Sequence, residues 1–311
     1  FARTILSALG IDEDVMHLSL PYVQWMLAGS PLLFVYIIYT SILRGVGDST
    51  TPLIASGMTI LIGLCVTPVL IAGYFGFPKL GIVAPAIATI LGFVSVLTFL
   101  YFYLNYKQHP LRLDAQLLRH IRFDRQLSKI ILRLGVPTGI QMITTSVAGL
   151  VIVGLVNRHG ADATAAYGAV NQVLNYIQFP ALSIAIAASI FGAQAIGAGK
   201  SELLAKVTRT ALGMNITITG SLVVLAYLFS KYLMALFITD HAVVELGQQL
   251  LFIVLWSILF FGASAIFASI MRASGTVTMP MIINSIAIIA IEVPCAYLFS
   301  EWWGLQGIWY A

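Results

Sequence analysis

The sequence predicts an all-α polytopic membrane protein in which one bundle of helices occurs twice. Hydrophobic residues make up 59% of the 311 residues and charged residues only 9%, and the mean hydropathy is +0.96. A soluble domain carries about a quarter charged residues, so this chain has too few charges to cover a surface that faces water. The net charge of +4 gives no reason to expect a nucleic-acid partner, because the basic residues collect in a few loops. The expected partner is the lipid bilayer.

Eight apolar windows are long enough to cross a bilayer as helices. About 20 helical residues, at 1.5 Å each, span the hydrocarbon core. The windows are 15–43, 52–74, 81–104, 132–156, 163–194, 208–237, 246–271 and 280–300. Residues 1–9 are similar to the tail of an earlier span, and residues 304–311 to the head of a later one. We therefore expect the chain to be a fragment that begins and ends inside helices.

Lysine and arginine are divided unequally between alternate loops, which predicts the orientation of the spans. One set of loops holds twelve of the 16 basic residues, among them Arg44, Arg272 and the seven lysines and arginines at 107–133. The other set holds four. Because basic loops stay on the cytoplasmic side, we expect Arg44 and Arg272 to face the cytoplasm and the protein to lie in a bacterial inner (plasma) membrane.

Two short segments repeat one motif 228 residues apart. The segments are "ILRGVGDSTTP" at 42–52 and "IMRASGTVTMP" at 270–280. The span before the second segment is the sixth after the span before the first, and because six is even, both copies enter the membrane in the same sense, as a parallel repeat about an axis along the membrane normal. The predicted domains are a partial N-lobe at 1–106, a cytoplasmic connecting loop at 107–130 and a C-lobe at 131–311.

The repeated segments have the composition of a tight corner between two helices. The glycines permit the reversal, the prolines suit the first turn of the next helix, and the arginines lie at a helix C-terminus, where the dipole favours a cation. Thr50 and Thr278, two residues before the prolines, can cap the next helix. We predict structural roles for Arg44, Gly47, Pro52, Arg272, Gly275 and Pro280.

The order of these motifs resembles that of the multidrug and toxic compound extrusion (MATE) transporters. The resemblance rests on the two corners, on "EVPCAYLF" at 292–299 followed by "GLQGIWYA", and on "FGAQAIGAGK" at 191–200. It covers essentially the whole chain, from the end of the family's third helix into its twelfth. It implies two six-helix lobes, twelve helices when intact, that form a V around a central cleft.

The same resemblance implies a function. It implies export of cationic or amphipathic organic compounds, drugs among them, in exchange for Na⁺ or H⁺, with no cofactor besides that ion. The alternative within the same superfamily is a flippase for lipid-linked saccharides. The five histidines are scattered without the spacing of metal ligands, and no nucleophile–base pair is apparent, so we expect neither a metal site nor an enzyme.

Glu292 is the acidic residue nearest the middle of a predicted span. An unpaired charge in hydrocarbon is costly, so its carboxyl group must be protonated, paired or in contact with water. A role in ion coupling and a structural role held by a neighbouring helix both fit this position. Some branches of the family carry coupling acids at the positions of Thr145 and Phe261. Others carry an Asn–Asp pair where this chain has Gly63 and Thr67, so the driving ion stays open.

Two spans carry polar side chains along one helix face, which predicts a substrate cleft. In the span 163–194 these residues follow each other at intervals of four and three, so they share a face. Cleft lining and hydrogen bonding between helices both fit such a stripe. The candidate cleft residues are Tyr167, Asn171, Asn175 and Gln178 in that span, and Gln141 and Thr145 in the span 132–156.

The aromatic residues near the end of the chain fit an aromatic belt at the outer membrane boundary. Trp302, Trp303 and Trp309 are therefore expected to lie in that belt. The deeper residues Trp256, Phe260 and Phe261 are candidates for the wall of the cavity, although contact with lipid fits at least one of them.

Overall fold

The computed structural model describes residues 3, 13–112 and 124–311. All regular secondary structure within those residues is helical. The helices of this described part form eight continuous stretches that are long and apolar enough to cross a membrane, the last of them made of three consecutive helical segments over Thr278–Trp303. Each predicted window falls on one of these eight spans, so the predicted all-α polytopic class is confirmed. The expected helix tail at 1–9, apart from residue 3, and the part of the connecting loop at 113–123 lie outside the described residues.

The chain folds as two compact units, Phe1–Arg122 and Phe123–Ala311. The first unit contains α1 (Glu13–Gly45), α2 (Thr50–Ala72) and α3 (Ala84–Tyr106), with 3₁₀ turns at Tyr74–Gly76 and Gly81–Val83. The second unit contains α4 (Arg125–Asn157), α5 (Ala161–Gly197), α6 (Leu203–Leu228), α7 (Ser230–Ala235), α8 (His241–Ala273), α9 (Thr278–Ile286), a π-helix (Ala287–Glu292), α10 (Val293–Trp303) and α11 (Leu305–Tyr310).

Two helices differ from the predicted organisation by more than a shift of their ends. Helix α4 begins at Arg125, so residues 125–130 of the predicted connecting loop are helical, and the side chain of Asp124 caps that helix by accepting a hydrogen bond from the amide of Gln126 at 2.7 Å. The predicted span 208–237 is not one helix, because α6 ends at Leu228 and α7 begins at Ser230. The hydroxyl of buried Ser230 accepts a hydrogen bond from Gln248 Nε2 at 2.9 Å, which ties this break to α8.

The first corner, between α1 and α2, closes the end of α1 with two backbone hydrogen bonds. Gly47 N donates to Arg44 O at 3.0 Å, and Asp48 N donates to Leu43 O at 3.0 Å. Gly47 has a φ of 94°, in the left-handed region. This is the Schellman arrangement, in which a glycine without a Cβ lets two carbonyl groups at the helix end find donors.

The second corner, between α8 and α9, repeats that pattern 228 residues later. Gly275 N donates to Arg272 O at 2.9 Å, Thr276 N donates to Met271 O at 2.9 Å, and Gly275 has a φ of 83°. The two copies of the sequence motif therefore form the same hydrogen bonds in the same register. The motif is repeated because it builds the same turn twice.

The corner arginines also match each other. Arg44 Nη2 lies 3.4 Å from Ser41 Oγ, and Arg272 Nη2 donates to Ser269 Oγ at 3.0 Å. Each serine stands three residues before its arginine, on the same side of the helix. The serine extends the repeated motif by one residue in the direction of the N-terminus.

The prolines of the corners lie where they were predicted, but the threonines do not cap the helices. Pro52 and Pro280 are each the third residue of their helix and are buried. Thr50 and Thr278 are the first helical residues, and no side-chain capping bond is formed by the residue before either of them. The prediction of threonine caps is wrong, because these residues already belong to the helix.

In the first corner Asp48 provides the cap instead. Its carboxylate accepts hydrogen bonds from Thr51 N at 3.0 Å and from Thr51 Oγ1 at 2.6 Å, and His109 Nε2 lies 3.9 Å away. Partial burial alone would raise the pKa of Asp48, but the hydrogen bonds from Thr51 and the charge of His109 outweigh it, so the pKa is lower than usual. The second corner has Thr276 at this position, so this cap belongs to the first copy alone.

The second unit is held together by α5, α6 and α8. Leu250, Leu251, Leu255 and Ile258 of α8 are almost completely buried in its main core. Helices in lipid gain little from hydrophobic burial, so small residues and hydrogen bonds between helices contribute more. Gly262 of α8 provides such a contact, since it leaves room for the fully buried side chain of Asn215 on α6.

The left-handed glycine of the corner yields a test of how much the turn contributes to stability. Replacing Gly275 with Ala should lower the free energy of unfolding by about 1–2 kcal/mol, because an L-residue with a Cβ is strained at this φ. No atom lies within 4 Å of the added Cβ, so the backbone alone carries the effect. The midpoint of thermal unfolding of the purified protein in detergent measures it.

Gly197→Ala is the matched control for this experiment. Gly197 is the last residue of α5 and also has open space around an added Cβ, but its φ is not in the left-handed region. Its unfolding midpoint should stay the same or rise. Equal losses in the two variants would contradict the assigned role of Gly275.

Candidate functional site

A cavity of about 440 Å³ lies within the second unit. Residues of α4, α5, α8 and α11, together with the end of the π-helix, form its walls. Most of the lining is apolar, and the polar side chains that face the cavity include Tyr167, Asn171, Ser257 and Glu292. The structure thus brings together three of the predicted site residues, Tyr167 and Asn171 of the polar face and Glu292.

Glu292 reaches this cavity from the last position of a π-helix. Residues 287–292 have the wider π turn, in which each backbone bond spans five residues instead of four. Such segments are rare and are frequent at functional sites. Pro294, just beyond, has no amide hydrogen, so the carbonyl four residues earlier cannot receive an ordinary α-helical bond from it. Because that α-helical hydrogen bond is already lost, forming the π-helix costs less free energy here than it would in a helix without proline.

The first copy of the repeat has no counterpart of this arrangement. With the offset of 228 residues, Glu292 corresponds to Leu64, which lies on the regular helix α2 and is 67% exposed. The two copies share their corner but differ here in both backbone and side chain. The carboxyl group is therefore a feature of the second copy rather than of the repeated scaffold.

The carboxyl group of Glu292 is half-buried and has no protein partner in the part of the chain that the structure describes. It makes no hydrogen bond or ion pair there, and no lysine or arginine lines the cavity. A negative charge at membrane depth needs a proton, a cation or water as its partner. The arrangement can therefore bind a proton or a cation from within the cavity.

An aromatic wall stands in the same cavity. The rings of Tyr167 and Trp309 stack with centroids 5.7 Å apart and planes 7° from parallel. Trp309 is only 7% exposed, so its predicted place in an outer aromatic belt is wrong. Trp302 and Trp303 are 66% and 57% exposed, in agreement with a position at the surface of the bundle. Aromatic faces attract organic cations.

A glycine-rich turn brings Trp309 to the cavity. Gly304, between α10 and α11, has a φ of 61°, and Gly307 N donates to Gly304 O at 3.1 Å. Gly307 lies so close to the carbonyl group of Phe299 that a Cβ would overlap with it. Helix α11 therefore folds back along the end of α10, and the pattern "GLQG" is the sequence signal that could have predicted the position of Trp309.

The remaining polar residues of α5 do not line the cavity. Asn175 is exposed, and Gln178 is half-buried lower on the same helix. The polar face predicted on this helix therefore contributes only its outer half, Tyr167 and Asn171, to the site.

The polar stripe of α4 contacts a neighbouring helix instead of the cavity. Thr145 Oγ1 donates to the backbone oxygen of Gln141 at 3.0 Å, and Asn284 Nδ2 of α9 lies 3.5 Å from Thr145 Oγ1. Of the two interpretations left open for this stripe, these contacts fit the hydrogen bond between helices. The deep aromatic residues Trp256, Phe260 and Phe261 are 61%, 76% and 40% exposed and do not line the cavity either.

Among the described residues, no group of three or more histidine, cysteine or acidic side chains could hold a metal ion. The side chains that line this site offer one carboxyl group (Glu292), one amide (Asn171), three hydroxyl groups (Tyr167, Ser257 and Tyr310) and an aromatic wall.

Comparison with known proteins agrees with a membrane transporter of one family. The family model described as MatE matches residues 1–69 and 137–298. The chain is 42% identical to the probable multidrug resistance protein YoeA of Bacillus subtilis (strain 168), over 99% of this chain and 67% of that protein. It is 25% identical to the FAD transporter of Shewanella oneidensis, over 99% of this chain and 68% of that protein.

Solved structures show the same fold. An outward-facing conformation of a multidrug resistance MATE family transporter of the MOP superfamily aligns with a TM-score of 0.89 at 20% identity, over 99% of this chain and 68% of that one. A MATE structure in complex with MaD3S aligns with a TM-score of 0.89 at 21% identity. The chain belongs to the MatE family. It is a multi-pass membrane transporter and not an enzyme, as its sequence predicted.

The turn before α11 provides a test of the aromatic wall. Gly307→Ala should push α11 away from α10 because the new Cβ overlaps with the Phe299 carbonyl group, and Trp309 should then leave Tyr167. Hydrogen–deuterium exchange of the full-length transporter should become faster in the peptide that covers 304–310. Gln306→Ala, at an exposed position of the same helix, is the control and should exchange like the parent protein. Unchanged exchange in Gly307→Ala would contradict this account of the turn.

Proposed function

We propose that this protein is a secondary active exporter of cationic or amphipathic organic compounds, driven by the exchange of Na⁺ or H⁺. One observation carries the proposal: the carboxyl group of Glu292, which has no partner among the described residues, shares a cavity with the stacked rings of Tyr167 and Trp309. A flat organic cation needs both groups, since the carboxylate supplies the opposite charge and the ring face attracts the cation further.

The size of the cavity fits a small-molecule substrate. Its volume of about 440 Å³ falls within the range of about 300–1,000 Å³ that is common for ligand sites. Asn171 and the hydroxyl of Tyr167 can orient a polar part of the substrate, while the apolar walls take up its hydrocarbon part. This mixture suits amphipathic compounds better than strongly polar ones.

Competition for one carboxyl group supplies the proposed coupling. A bound drug cation, a sodium ion and a proton each neutralise Glu292, so the arrival of one favours the release of another. The exporter would take up the substrate from the cytoplasmic side and release it as Na⁺ or H⁺ enters from the other side. Tyr167, Asn171 and Trp309 act in substrate binding, and Glu292 acts in both binding and coupling.

Two other substrate classes fit the cavity less well. A flippase for lipid-linked saccharides has to neutralise a pyrophosphate, and one relative is named as a FAD transporter, whose substrate is also anionic. Lysine or arginine would be the natural partner of such a substrate. No basic side chain lines the described cavity, whereas a carboxyl group does. This charge supports an organic cation as the substrate.

Efflux of ethidium from intact cells that produce the full-length transporter tests the proposal. Glu292→Gln keeps the size of the side chain but removes its charge. Interactions with a charged group contribute about 1.5–3 kcal/mol, so this variant should transport about tenfold more slowly or worse. Collapse of the sodium gradient or of the proton gradient, each in turn, identifies the driving ion.

Glu301→Gln is the matched control for this experiment. Glu301 lies on α10, the helix that directly follows the π-helix of Glu292, but it is exposed and does not line the cavity. Its efflux should equal that of the parent protein. Full efflux by Glu292→Gln would show that the carboxyl group has no part in transport.

A further inference from the structure

A second cavity, of about 600 Å³, lies between α5 and α6 on the other side of the second unit's core. It runs beside Ser183 to Phe191 of α5 and Leu203 to Met214 of α6, and it shares no residue with the cavity that contains Glu292. Eight helical residues cover about 12 Å, so the space is a groove along two membrane spans. The proposed transport function makes no use of it.

Small side chains create this groove. Ala188 and Ala211 line it and are buried. Phe191, Leu203 and Met214 are 61%, 40% and 48% exposed and form its rims. In a bilayer such a space cannot be left to water, because its walls are almost wholly apolar. Hydrocarbon has to fill it.

One end of the groove is positively charged. Lys206 lines the groove in the first turn of α6, while the other end reaches Met214, near the middle of the same helix. Lys200 and Arg209 stand close by in the sequence, and the loop that contains Lys200 is one of the basic loops predicted to face the cytoplasm. Among the residues that the structure describes, Lys206 forms no ion pair, not even with Glu202 four residues before it.

The charged end and the apolar length together define the occupant. We propose that this groove binds one acyl chain of an anionic phospholipid from the cytoplasmic leaflet, with the phosphate group of the lipid at Lys206. Lysine reaches from a helix end toward the interface, with its hydrocarbon stem against apolar surface. A zwitterionic lipid could supply the same chain, but it lacks the net charge that complements Lys206.

The expected preference follows from the charge. A basic residue near the membrane surface gains about 1 kcal/mol from anionic lipid, which corresponds to about a fivefold preference for phosphatidylglycerol over phosphatidylcholine with the same chains. The apolar groove itself should not distinguish the two lipids. Removing the charge of Lys206 should therefore abolish the preference without preventing the chain from binding.

Photo-crosslinking tests this site. The full-length transporter is reconstituted into nanodiscs that contain phosphatidylglycerol or phosphatidylcholine with a diazirine on one acyl chain. Mass spectrometry then maps the crosslinked peptides. Crosslinks at 183–191 and 203–214 should be about five times more frequent with phosphatidylglycerol, and Lys206→Gln should make the two lipids equal.

Two matched controls separate the charge from the groove. Lys129→Gln removes an exposed lysine from the same predicted side of the membrane and should leave the preference intact. Ala187→Phe fills the groove from an exposed position and should remove the crosslinks for both lipids. Ile186→Phe changes a residue that directly precedes Ala187 but does not line the groove, and it should leave the crosslinks in place.

Three results would overturn the proposal. They are equal crosslinking by the two lipids in the parent protein, a preference that survives Lys206→Gln, and the absence of crosslinks in these segments with either lipid. The last result would show that another part of the transporter or a second copy covers the groove. None of these results depends on transport activity, so the lipid site and the proposed export function stand or fall separately.

Discussion

Every helix end in this protein has to satisfy backbone groups close to a medium that cannot hydrogen-bond. Within the hydrocarbon core only complete helices meet this requirement, so the chain can reverse direction only where its last carbonyl groups find new donors. The two repeated corners meet the requirement with the same pair of hydrogen bonds, from Gly47 and Asp48 in one copy and from Gly275 and Thr276 in the other. The rest of the repeat depends on these turns, because each sets where the next span begins.

The two copies share these corners but differ where the second copy carries Glu292. The first copy continues as the regular helix α2, with Leu64 at the position that corresponds to Glu292. The second copy changes to a π-helix and carries the carboxyl group at its end. A duplicated scaffold supplies the architecture, and a local irregularity in one copy places the carboxyl group in the cavity. Under the proposed function, the working site is a local addition to the shared fold.

The sequence predicted what depends on local composition and failed where distant segments meet. The eight spans followed from the length of the apolar windows, and the corners followed from the left-handed conformation that Gly47 and Gly275 provide. A carboxyl group inside an apolar window needs an explanation wherever it points, so the sequence alone marks Glu292 as a candidate. The spacing of one helix face selects Tyr167 and Asn171, which line the cavity, but it selects equally Asn175 and Gln178, which do not.

The errors have physical causes as well. Trp309 was assigned to the membrane boundary because its place depends on α11 folding back onto α10, a contact that exists only in the folded protein. The π-helix leaves no periodic signal in a segment of uniformly apolar residues. Thr50 and Thr278 were assigned as caps because helix starts can only be located to within a residue or two from sequence. Asp48, one turn before Thr51, takes that role in the first corner.

The duplication can be tested directly by measuring on which side of the membrane each of the two corners lies. Val46 and Ser274 occupy matching exposed positions in the two corners, 228 residues apart. Each can be changed to cysteine in a full-length transporter whose Cys65 and Cys295 are replaced by alanine, and then treated with a membrane-impermeant maleimide. In everted vesicles both cysteines should react, and in intact cells neither should, whereas a cysteine in place of Lys231 should behave in the opposite way. Reaction of the two corners from opposite faces of the membrane would contradict the parallel repeat.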